Sequence, residues 1–223
     1  MRIRIRKEFM GTLLVGVSLF LGAGRLNWVM AWVYMGLNFL GVFANAYVLM
    51  RYNPEVLAAR AKTTQEDTKR WDKVFTSLYG PLLLITMAII GLDAVRFGWS
   101  QVPFWIQMIS MVLFVFGWGF SLWALAVNKH FETSVRIQGD RGHTTITTGP
   151  YKIVRHPGYA GMTLLYAVSP LCLGSYWGLI PAGLLIIAFV VRTALEDQTL
   201  QEELSDYPAF VKKVRYRLLP GIW

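Results

Sequence analysis

The chain alternates between long apolar runs and short polar segments. The runs cover Phe9 to Gly24, Trp28 to Met50, Val74 to Val95 and Pro103 to Val127, and the second and fourth are long enough to cross a hydrocarbon core about 30 Å thick as helices. A fifth run, Gly158 to Val191, contains no Lys, Arg, Asp or Glu and is broken near Gly174, Ser175 and Gly178, with Pro170 and Pro181 on either side. It predicts a helical hairpin. Arms of about 16 residues fit two spans in a locally thinned bilayer or a re-entrant loop, with two spans favoured. The expected fold is all-α: one polytopic transmembrane bundle over 1–223, with four N-terminal helices in 1–127 and the hairpin in 128–223.

Composition agrees with this reading. Hydrophobic residues make up 55% of the 223 and charged residues 16%, far from an ordinary soluble domain. The net charge of +9 does not indicate a nucleic-acid partner, because the basic residues lie between apolar runs and not on a soluble basic face. Of the 22 Lys and Arg, all but Arg25 and Arg96 fall in the N-terminal tail, the 51–73 loop, the 129–155 segment or the 192–217 segment. Cytoplasmic loops are enriched in Lys and Arg, so both termini are expected in the cytoplasm with an even number of crossings, six being favoured. Trp28, Trp32, Trp99, Trp105, Tyr176 and Trp177 then mark the outer interface. The basic start MRIRIRK before a short apolar run also has the form of a cleaved signal peptide, which would leave the later topology unchanged. A lone cysteine, Cys172, allows no intrachain disulfide, and no Cys/His spacing suggests a metal site.

Chemistry is expected where two polar segments flank the hairpin, because a hairpin returns the chain to the face it left. The first reads HTTITTGPYKIVRHPGYAG from His143 to Gly161. Pro157 suits a first helical position and biases His156 away from helical dihedrals, so a helix is predicted to start there with His156 as N-cap. Its free N–H groups, at Gly158, Tyr159 and Ala160, form an anion-binding end, with Arg155 beside it. The same residues serve equally as interfacial anchors. His130 and His143 are lone histidines with no distinguishing spacing. In the second segment Arg192 and Glu196 share one helical face in the less favourable order for an ion pair. Leu200, Leu204, Tyr207, Phe210, Val211 and Val214 recur at roughly helical spacing, predicting a C-terminal amphipathic helix.

GPYKIVRHPGYAG together with RTALEDQTLQEELSDYPAFVKKV resembles the cofactor-binding core of isoprenylcysteine carboxyl methyltransferases and the related membrane phospholipid N-methyltransferases. Asn53 to Arg60, NPEVLAAR, resembles a segment of their prokaryotic members. The resemblance is good over roughly 128–223 and rests on hydropathy before that. It implies a cytoplasmic pocket for S-adenosyl-L-methionine, released as S-adenosyl-L-homocysteine, without a Gly-rich dinucleotide loop. His143, Thr144, Thr145 and Ile146 are similar to the family's cofactor stretch, Tyr151 to its turn tyrosine, and His156, Pro157, Gly158 and Tyr159 to its HP-x-Y element. Glu196 is similar to the acid that holds the cofactor and Arg192 to the arginine assigned to the acceptor.

Two departures stand out: the usual Glu-Glu pair is Glu196-Asp197, and HP-S-Y has become His156-Pro157-Gly158-Tyr159. Gln138 corresponds to an upstream glutamine only with a shifted loop. The expected acceptor is lipid-like or prenylated and enters from the bilayer, its nucleophile a carboxylate or an amine. RHP-x-Y and the ending VRYRLLPGIW also resemble NADPH-dependent sterol reductases, and a non-catalytic lipid-binding protein is a third reading.

Overall fold

A computed structural model describes residues 2–61 and 67–223; the side chains of 2–5, 58 and 61 are not described. Of the basic residues counted above, Arg2 and Arg4 therefore lie outside the described side chains and Lys62 outside the described residues. The architecture is helical: α1 (Arg2–Ala23), α2 (Val29–Tyr52), α3 (Pro54–Ala61), α4 (Arg70–Gly91) running on as a π-helical turn to Phe97, α5 (Phe104–Val127), α6 (Pro157–Cys172), α7 (Leu179–Glu203) and α8 (Tyr207–Lys213). Short 3-10 turns at Gly139–Arg141 and Gly149–Lys152 interrupt the segment between α5 and α6.

Among the described residues, four helices are long and apolar enough to cross a membrane: α2, α4 with its π turn, α5 and α7. The chain is an integral membrane protein. The hairpin is formed by α6 and α7, but unequally. At 16 residues, α6 is about 24 Å long; α7, with 25 residues, runs on past the apolar segment and carries Arg192 and Glu196 with it.

Neighbouring helices close a ring. α1 packs on α4, α4 on α7, α7 on α6, α6 on α5, α5 on α2 and α2 back on α1. The most extensive contact, α5 with α6, is close because it is built of small residues. A Cβ at Gly161 would lie 2.5 Å from Gly117 O and 2.2 Å from Ser121 Oγ. Ser121 Oγ donates to Gly158 O at 3.1 Å across the same crossing. Such small-residue contacts allow helix backbones to approach in lipid, where the hydrophobic effect gives no drive to association.

The ring is plugged towards the end where α1 joins α2 by Leu19, Ala31, Met35, Met87, Ile90, Met111, Phe114 and Cys172. At the other end α3 fastens the helices together. Asn53 Nδ2 donates to Leu125 O and Ala126 O at 2.7 and 3.0 Å, capping two of the carbonyls that α5 leaves free. Val56 and Leu57 pack against Leu49 and Leu125, and Arg60 Nε donates to Phe131 O at 2.7 Å. The NPEVLAAR segment, Ala58 aside, is thus a fastening element.

The predicted C-terminal stripe packs as a unit, but not as one helix. Leu204, Tyr207 and Phe210 are buried together with Tyr151, flanked by Leu200, Val211 and Val214. α7 ends at Glu203 and α8 starts at Tyr207, because the ring of Pro208 cannot be accommodated one turn beyond the Leu204 carbonyl.

Candidate functional site

Between the plug and the polar segments lies a cavity of about 690 Å³. Its wall includes His143, Thr144, Thr145, Ile146, Tyr151, His156, Gly158, Tyr159, Arg192 and Glu196, and it extends into the bundle to Tyr34, Phe114, Tyr166 and Ser169. Of the positions expected at a cofactor site, Pro157 is not on the wall; it is the first residue of α6.

His143 is held by the loop before it. Its Nδ1 accepts the Gln138 N–H at 3.3 Å and its ring lies 4.5 Å from that of His130. Burial, with the His130 ring nearby, lowers its pKa to about 4, so at neutral pH the proton resides on Nε2, a donor for a ligand. His130 is likewise held below its usual value by burial; its Nε2 accepts from Thr144 N–H and its Nδ1 faces Gln138 Oε1, each at 3.3 Å. Gln138 is spent within the loop, its Nε2 donating to His130 O at 2.8 Å. Thr145 gives both its N–H and its hydroxyl to Asp206, at 2.9 and 2.7 Å, tying the stretch to the start of α8. Ile146 packs beside Tyr151. The Tyr151 hydroxyl accepts from Asn128 at 2.7 Å, and burial raises its pKa, so it stays neutral.

At the start of α6, Ala160 N–H bonds to His156 O at 3.0 Å, so it is not among the free donors expected there. Gly158 and Tyr159 N–H have no acceptor among the described residues. Arg155 is not a receptor for an external anion. It is buried and grips Asp197 with Nε and Nη2 at 2.7 and 2.9 Å, while Nη1 donates to Val214 O and Arg215 O. Asp197 also accepts from Tyr207 at 2.8 Å, Arg217 at 2.9 Å and Gln201 at 2.9 Å, with His156 Nε2 at 3.2 Å. The side chain beside Glu196 is therefore a fully engaged hub, away from the cavity wall.

Glu196 takes the other direction. The Tyr159 hydroxyl donates to its Oε2 at 2.5 Å, and the Tyr159 ring stacks on His156 with an interplanar angle of 2°. Arg192 lies over the Phe75 and Tyr159 rings, 4.5 and 5.2 Å from their centres. Its Nη2 donates to Thr133 O at 2.8 Å, and its Nε is 2.8 Å from Asp72 Oδ1, an ion contact whose N–H is not aimed at the oxygen. The Asp72 Oδ2 accepts Val135 N–H at 2.8 Å. Arg192 and Glu196 do not pair with one another, as their order on the helix anticipates. Asp72 was not anticipated; its only trace in the sequence is an acidic residue in the first turn of α4, common at helix starts. Glu132, on the cavity wall and bound to Arg136 at 3.0 Å, had no signal at all.

The substitution of glycine in the HP-x-Y element has a steric cause. A Cβ at Gly158 would lie 2.4 Å from Phe131 Cζ, so the Phe131 ring fills the place of a side chain at 158.

Residues 105–206 match the family model described as phospholipid methyltransferase. This part of the chain is similar to that family of integral membrane methyltransferases. No curated protein matches the chain significantly. The match to the phospholipid methyltransferase family covers nearly all of α5, the first polar segment, the hairpin and the second segment as far as Asp206, so it contains every residue named above as a candidate for cofactor or acceptor. It favours the methyltransferase reading over the reductase one.

Proposed function

We propose that this protein transfers a methyl group from S-adenosyl-L-methionine to a lipid-like acceptor that reaches the cavity from the bilayer, and that 128–223 is its cofactor-binding core. The observation that carries the reading is a cavity lined both by the polar 143–159 and 192–196 positions and by residues deep in the helix ring. A polar cofactor from the cytosol and an apolar acceptor from the membrane would meet there.

The residues present fit the cofactor. The unpaired N–H groups of Gly158 and Tyr159, at the positive end of α6, suit its carboxylate. Glu196 offers an oxygen beyond its bond to Tyr159 for hydroxyl or ammonium donors, and His143 Nε2–H offers a donor to an acceptor atom. When bound, the cofactor supplies a methyl group on a positively charged sulfur, open to displacement by a nucleophile. The protein's part is to align that nucleophile and exclude water. Tyr151 and the Leu204, Tyr207 and Phe210 cluster form the water-excluding floor.

An ionised carboxylate needs no base. Arg192 would face it with Nη1, since Asp72 lies beside Nε and Thr133 O takes part of Nη2. Part of the guanidinium and its charge is thereby taken up, which gives weight to a second reading, a phospholipid acceptor as the family's description names, with an amine as its nucleophile. That acceptor must lose a proton, and Glu196 would be its base, since Glu132, also on the cavity wall, is held by Arg136.

Calorimetry with S-adenosylhomocysteine and NADPH tests the cofactor. Binding of the first is expected; binding of NADPH alone would overturn the reading. Glu196→Ala should weaken S-adenosylhomocysteine binding by about 10-fold or more, the value of one charge-assisted hydrogen bond, whereas Arg192→Ala should spare it and lose turnover with an anionic acceptor. Turnover of an amine lipid that survives Arg192→Ala but not Glu196→Gln would select the second reading.

A further inference from the structure

The membrane arm of the cavity is not uniformly apolar. Along α2, Tyr34, Asn38, Val42 and Asn45 all lie on its wall, at the spacing of one helical face. Two of these are satisfied locally: Tyr34 OH shares a hydrogen bond with Ser169 at 3.0 Å, and Asn38 Nδ2 donates to Tyr34 O at 2.8 Å. Asn45 differs, for its Oδ1 is buried without a donor among the described residues. On α5 the indole N–H of Trp118 is equally buried and without an acceptor among them, and Trp118 lines the same cavity. The Trp118 ring lies against Gly41, where a Cβ would sit 2.7 Å from Cε2, the atom bonded to the indole nitrogen, and Asn45 is one turn along α2 from Gly41 on the same face.

An unpaired acceptor and an unpaired donor thus border one space inside the helix ring. Lipid chains can satisfy neither, and buried polar groups in native structures are as a rule paired. We propose that Asn45 and Trp118 form a recognition site for a hydroxyl or a secondary amide carried by the membrane-borne ligand. A hydroxyl donates to Asn45 Oδ1 and accepts from Trp118 Nε1–H through one oxygen; an amide does so through its N–H and C=O. An ether or ester oxygen can only accept, and a hydrocarbon can do neither. The ligand is therefore a hydroxylated or amide-bearing lipid, not a purely ether- or ester-linked one. That this ligand is the methyl acceptor rests on the methyltransferase reading; the binding site itself does not.

The test titrates purified full-length protein with 1-dodecanol and with dodecyl methyl ether, and measures S-adenosylhomocysteine binding on the same preparation. The alcohol should bind on the order of 10-fold more tightly than the ether, and Asn45→Leu and Trp118→Phe should each abolish that preference. Asn45→Leu is nearly isosteric and removes an unpaired buried oxygen, so it should fold at least as well as the wild type. Equal binding of alcohol and ether by the wild type, or a preference that survives Asn45→Leu, overturns the proposal. Loss of S-adenosylhomocysteine binding in a wild-type protein that still prefers the alcohol overturns the methyltransferase reading and leaves this site standing.

Discussion

At the scale of single residues, the adjacent acids of α7 separate structure from ligand chemistry. Asp197 faces two guanidinium groups, a tyrosine, a glutamine and His156, with no exposed surface; Glu196, one position earlier, turns to the cavity and takes its hydrogen bond from Tyr159. Removing one partner of a buried ion pair typically costs about 3 to 5 kcal/mol, because the other charge is left uncompensated. Asp197→Ala should therefore unfold at markedly lower denaturant concentration, whereas Glu196→Ala should unfold near the wild-type midpoint and show its defect in ligand binding. Equal midpoints for the two variants would contradict the division. His143 supplies a pH dependence. Its pKa in the folded chain is lowered to about 4 from the ordinary 6.5, by burial first. Between these values the unfolded chain binds more protons, so stability rises with pH there, and His143 contributes fully only above about pH 6.5. Thermal unfolding should show a loss on acidification from pH 6.5 towards 4 that is reduced in His143→Gln. The slope should not vanish, because His130 is shifted the same way.

At the scale of elements, hydropathy located the helices but not their ends. α1 begins in the basic tail, before the apolar run starts at Phe9; α4 begins at Arg70, four residues ahead of Val74; and α7 continues a dozen residues past Val191. Apolar length reports the thickness of lipid, whereas backbone hydrogen bonding continues into water until a residue such as Pro208 forbids it. The start of α6 was legible, since His156-Pro157 acts through local backbone chemistry. The partners Asp72 for Arg192, Asp206 for Thr145 and Phe131 for Gly158 were not, because each joins positions brought together only by packing. The α5–α6 crossing makes a sharp prediction. Gly161→Val would force its Cβ onto the Gly117 carbonyl and Ser121, and a backbone oxygen can yield only if α5 moves; overpacking of this kind costs about 1 to 3 kcal/mol. A Cβ at Gly183 in α7 would meet no described atom within 4 Å, so Gly183→Ala should be neutral or stabilise by about 0.5 to 1 kcal/mol through its lower chain entropy. Unfolding midpoints of the two variants should move in opposite directions or leave Gly183→Ala unmoved.

At the scale of the whole molecule, the proposed function sets an orientation: a water-soluble cofactor would enter at the cavity's polar end, since the plug closes the other, and that end would then face the cytosol. The charge pattern points the same way. Arg25 and Arg96 are the only basic residues at the turns joining α1 to α2 and α4 to α5, and Trp28, Trp99, Trp105, Tyr176 and Trp177 lie at or beside the connections of that end, with Trp99 and Trp177 6.4 Å apart across two of them. If α1 and α6 cross as well as the four long apolar helices, the six crossings put both termini on the cofactor side. The sole native cysteine, Cys172, has no exposed surface, so single engineered cysteines can be read against a silent background. Gln101 lies exposed between α4 and α5, and Lys213 is exposed at the end of α8. In intact cells a membrane-impermeant maleimide should label Gln101→Cys at once and Lys213→Cys only after permeabilisation. Immediate labelling of Lys213→Cys with protection of Gln101→Cys would invert the molecule, and would put the proposed cofactor site on the side of the membrane where the cofactor is not made.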